Sequence, residues 1–75
     1  MDYHVKRESN NPEKAYDTIA TFTQYVKAFD LYLNLIESRP ECYTCVMDSN
    51  GKLMLEHDPC NIGDYLRDLN DCSYI

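Results

Sequence analysis

The chain of 75 residues predicts an α+β fold, on three observations: a long apolar stripe at helical spacing, a hairpin signal behind it, and a second, shorter helical stripe near the end. The first stripe is unbroken. Ala15, Ile19, Phe22, Val26, Phe29, Leu33 and Ile36 recur in alternating steps of four and three, which is one face of an α-helix. Asn11 reads as its N-cap, Pro12 as its first helical residue and Glu13 as a first-turn acid. Pro40 pushes Arg39 out of the α region, so the spacing predicts a helix over residues 12 to 38. Within it Thr21-Phe22-Thr23 is the weakest helix former and the expected place of a bend.

The hairpin signal is Asn50-Gly51, set between the apolar runs Tyr43 to Met47 and Lys52 to Leu55. Asn-Gly suits a turn in which both central residues take positive φ. A two-residue turn there places Val46 opposite Leu55, Asp48 opposite Leu53 and Met47 opposite Met54. A short helix is expected from Asp58-Pro59 to Cys72, with Ile62, Leu66 and Leu69 as its apolar stripe. Residues 1 to 10 hold one alternating stretch, Tyr3 to Arg7, expected as a loose arm or an edge strand. The whole chain, residues 1 to 75, reads as one domain near the lower size limit for folding unaided.

Charge is unevenly placed. The net charge is −6, and residues 41 to 75 hold seven acids against two bases. Such a surface repels nucleic acid and anionic membrane and attracts a basic partner. Asp64, Asp68 and Asp71 fall at i, i+4, i+7 on the last helix, with Glu56 and Asp58 before it and Asp48 at the hairpin tip. Like charges one turn apart weaken their own helix, so an aligned row of acids can stand in for a row of phosphates. In size and charge the chain is similar to small acidic inhibitors encoded by phages. That resemblance implies a DNA mimic that inhibits or modulates a nucleic-acid-handling host enzyme by occupying its basic DNA-binding site. With a charged N-terminus and no apolar run long enough to cross a bilayer, the expected location is the cytoplasm.

A second expected surface is the stripe Tyr25, Ala28, Tyr32 and Leu35, beside the presumed core stripe of the long helix. One hairpin and one short helix cannot cover both stripes, so this one predicts self-association into a homodimer.

The order Cys42-x2-Cys45-x11-His57-x2-Cys60 supplies four borderline-soft ligands in two pairs. It resembles one finger of a LIM-type module over these nineteen residues, with a shorter spacer, and implies a small zinc-stabilised adaptor. Against it, a straight strand through residues 42 to 46 points Cys42 and Cys45 to opposite faces. The leading expectation is no cofactor, with three thiols and one imidazole as small, partly buried side chains of ordinary kind, and zinc is the alternative. A C-x-x-C followed by a hairpin lacks the helix N-terminus that dithiol redox chemistry uses, and His57 with Cys60 lacks oxyanion donors and an orienting third group. The leading expectation is therefore a non-catalytic binding protein.

Overall fold

A computed structural model describes residues 1–11 and 14–72, and within the last helix the side chains of residues 63–66 and 68. Its elements run β1 (Tyr3–Glu8), β2 (Tyr16–Phe22), α1 (Tyr25–Ser38), β3 (Thr44–Asp48), β4 (Leu53–His57) and α2 (Gly63–Cys72). The four strands form one antiparallel sheet in the order β2-β1-β3-β4. The fold is thus α+β, but it is not a long N-terminal helix beside a two-stranded hairpin.

Two corrections follow from β1. Residues 3 to 8 are neither an arm nor an edge strand, because β1 lies inside the sheet and pairs on both sides. And the expected helix of residues 12 to 38 is divided. Its first half is strand β2, and the helix proper begins at Tyr25. The physical reason is in the residues themselves. Tyr16, Thr18, Ile19, Thr21, Phe22 and Thr23 are β-branched or aromatic and prefer a pleated surface, and β1 offers them a ladder. The weak segment Thr21-Phe22-Thr23 marks the end of the strand instead of a bend. Ile19, counted in the helical stripe, is the extra residue of a bulge, since Val5 faces Ala20 and Lys6 faces Thr18. A second bulge leaves Met54 unopposed in β4, where Met47 pairs with Leu53. Both bulges sit on the two outer strands, where they discourage edge-to-edge pairing.

The hairpin is present, with a loop one residue longer than expected. Val46 does face Leu55, but of the two expected turn residues Gly51 takes a left-handed φ of 80° and Asn50 does not. Asp48 and Lys52 close a three-residue loop, Asp48 N–H donating to the Lys52 carbonyl at 3.0 Å. Helix α1 ends where Pro40 requires it, with the Arg39 N–H donating to the Leu35 carbonyl at 2.9 Å.

Alternation along β3 divides the interior into two layers. Val46 joins Val5, Ala28 and Tyr32 under α1, while Cys45 joins Tyr43, Ala15 and Leu66 on the other face, beneath α2. Each face of the sheet therefore carries its own buried cluster. Strands β2 and β3 flank β1 and run the same way, so α1 is the crossover between them.

Candidate functional site

The face that α1 turns to the sheet is set by fit. Ala28, with no bulk, lets the helix approach Val5 and Val46 closely, and Tyr32 fills the space beside it. Leu31, Leu35 and Ile36 flank them, half-buried. Of the four residues expected to form a self-association face, Ala28 and Tyr32 are thus in the core, Leu35 is at its margin, and only Tyr25 is exposed. The reason is the sheet: four strands offer a wide apolar floor that one hairpin would not.

The consequence is an exposed strip made of residues that sequence spacing assigned to the core. Val26 is 65 % exposed, Phe29 37 % and Leu33 42 %. They follow one another at i, i+3 and i+7 and so share one side of the helix. Phe29 is held by rings. Tyr25 stacks on it at 6.3 Å between centroids and Tyr32 at 6.4 Å from the other side, and Tyr3 of β1 meets Tyr25 edge-on at 5.5 Å. This ladder runs from the buried Tyr32 to the surface and fixes the strip on a rigid support.

The acids that were expected to form a phosphate-like row are divided by the fold. Asp48 is buried, and its Oδ1 accepts the N–H groups of Asn50 and Lys52, each at 2.9 Å, so it staples the hairpin turn. Asp58 accepts the N–H groups of Ile62 and Gly63, both at 2.9 Å, and thereby caps α2. Glu56 is exposed, but its Oε2 accepts the Tyr43 hydroxyl at 2.6 Å. These groups close over Gly63. A Cβ there would stand 2.7 Å from Asp58 Oδ2 and 2.9 Å from Glu56 Oε2, which is why α2 begins on glycine. Asp64 and Asp68 are exposed, one turn apart on α2. The Asp71 side chain lies outside the described residues, as do those of Leu69 and Cys72.

Tyr43 is fully buried, and burial with its bond to Glu56 pushes its phenol well above the usual range. Tyr32 is raised in the same direction, chiefly by burial.

The cysteine and histidine set is spread over both faces of the sheet. Cys45 is buried on the α2 side and pairs in register with Glu56, so His57, one residue on, points to the α1 side. The His57 ring is hydrogen-bonded to the Pro40 carbonyl at 2.8 Å, and the Cys60 thiol donates to the Glu41 carbonyl at 3.8 Å. Cys42 sits half-buried before β3. Among the described residues no group of three or more His, Cys, Asp or Glu is placed to hold a metal ion. Likewise, no helix among them is long and apolar enough to cross a membrane.

Sequence spacing missed the outward strip because it treated the strongest stripe as the buried one. Its 3-4-3 step was visible, but the sheet that turns it outward was not. Compared with known proteins, the chain matches no family model, no curated protein and no solved structure.

Proposed function

We propose that this protein is a non-catalytic binding protein that engages a basic protein partner through the outer strip of α1. The observation that carries the reading is the strip itself: Val26, Phe29 and Leu33 exposed on successive turns of a helix whose opposite face is firmly packed. Contiguous exposed apolar side chains on a rigid support mark interaction surfaces. The net charge of −6 supplies the second half, because it steers a basic partner in and repels nucleic acid. A basic nucleic-acid-handling protein, held away from its substrate, remains the partner class that this charge favours.

A decoy reading, with the acidic row of α2 in the partner's DNA site, draws support from one feature: Asp64 and Asp68 are both exposed and one turn apart. The two readings separate by affinity capture from lysate of the source cells with two variants. Phe29→Ser with Leu33→Ser is expected to weaken capture of the partner more than about tenfold at every salt concentration, as loss of a buried apolar anchor does. Asp64→Asn with Asp68→Asn is expected to weaken it about threefold or less, and only at low salt, since rim charges act mainly on the approach. If the Asn pair abolishes capture and the Ser pair does not, the decoy reading replaces this one.

A further inference from the structure

The shape of the strip specifies what can lie on it. Val26, Phe29, Leu33 and the half-buried Ile36 are spaced three, four and three apart. This is the a-d-a-d seam of a coiled coil, a period of 3.5 that matches another helix and not the period of two of a strand. With Val26 at a, both e positions are acidic, Asp30 and Glu37, and both are exposed. The g positions are Tyr25 and Tyr32, and Tyr32 is buried against the sheet. One border of the seam is therefore closed by the protein's own core, and the open border carries two carboxylates.

From this we infer that the strip is a docking seam for a basic amphipathic helix, one that sets apolar residues against Val26, Phe29 and Leu33 and lysine or arginine against Asp30 and Glu37. The inference rests on the binding reading above and names the class of partner segment. A second copy of this chain is the wrong occupant on charge. In an antiparallel pair of these helices e faces e, so Asp30 and Glu37 would meet their own kind, between two chains that each carry −6. The seam extends over residues 26 to 37, about 17 Å at ~1.5 Å per residue, so a helix of three to four turns is enough to cover it. Its rings are already held in place, which lowers the entropy cost of docking.

The probes are three synthetic peptides of about 18 residues, long enough for four to five turns. One carries Leu at a and d with Lys at the flanking positions, one has Glu in place of each Lys, and one is a scramble of the Lys peptide. Each is titrated into the ¹⁵N-labelled full chain at physiological salt. The patterned Lys peptide is expected to bind at least tenfold more tightly than either control, shifting the amides of Val26, Phe29 and Leu33 (on the order of tenfold, as for interfacial charge complementarity). Asp30→Lys with Glu37→Lys should transfer the preference to the Glu peptide, and Phe29→Ser with Leu33→Ser should remove binding of both. Equal binding of the three peptides overturns the inference, as does a preference that the charge reversal leaves unchanged. So does a dimer that the Ser pair dissolves, which would make the seam a contact between copies. If the Ser pair abolishes partner capture while the peptides show no discrimination, the surface reading stands and the helical partner is refuted.

Discussion

Removing residues 1 to 9 is expected to leave a chain that does not fold. Strand β1 stands between β2 and β3, so its loss strips both neighbours of a hydrogen-bonded ladder and cuts the sheet into two pieces. Val5, fully buried, is the centre of the layer under α1. At the far end of the strand Glu8 accepts the Tyr43 N–H at 3.0 Å, and the Glu8 N–H donates to the Tyr43 carbonyl, also at 3.0 Å. A domain of this size is stable by only about 5–10 kcal/mol, less than the loss of an interior strand and one core layer costs. Circular dichroism and a proton–nitrogen correlation spectrum of residues 10–75 should show an unfolded chain. A dispersed, cooperative spectrum would mean that these residues are an arm after all.

Tyr43 should prove the most costly single side chain to remove. It has no exposed surface, meets the Tyr16 ring at a tilt with 5.8 Å between centroids, and packs with Ala15, Cys45 and Leu66 in the layer under α2. Truncating a buried aromatic to Ala costs about 3–5 kcal/mol, so Tyr43→Ala should be largely unfolded near 37 °C. Tyr43→Phe keeps the ring and loses only the bond to Glu56. The Glu56 carboxylate remains open to water, so the cost should be about 1 kcal/mol. The hydroxyl also sets an alkaline limit. The folded phenol keeps its proton above the ordinary value of 10.0, whereas in the unfolded chain it ionises there. Its contribution is therefore complete below pH 10.0 and is lost as pH rises beyond it. Denaturant midpoints between pH 8 and 11 should fall more steeply for the wild type than for Tyr43→Phe, with Tyr32 accounting for part of the remaining slope. Parallel curves would contradict this account of the buried phenol.

What was legible in the sequence was local. Asn50-Gly51 announced the turn and Val46 found Leu55. Pro40 stopped the helix, and Asp58 was readable as a cap even though α2 starts at Gly63. What was not legible depended on residues far apart. Ala15, Ile19 and Phe22 prolong the 4-3 spacing of α1 by coincidence, and only pairing with β1 shows that they belong to a strand or its approach. The two apolar stripes of α1 differ little in composition, so helix periodicity cannot say which one faces inward. The small Cβ of Ala28 and the breadth of a four-stranded sheet decide it. The acidic row failed in a different way. Asp48 and Asp58 carry turn and cap signals that compete with any role as displayed charge, and those local hydrogen bonds hold both carboxylates.

The orientation of α1 is the claim on which the strip, the binding reading and the helical partner all depend. The denaturant midpoint of the Phe29→Ser, Leu33→Ser variant tests it most directly. An outward strip contributes less to folding than the core, so the double variant should lose less stability than Tyr32→Ser alone, which should cost about 3 kcal/mol or more. A loss of several kcal/mol in the double variant, with Tyr32→Ser tolerated, would place Phe29 and Leu33 in the core and contradict the account.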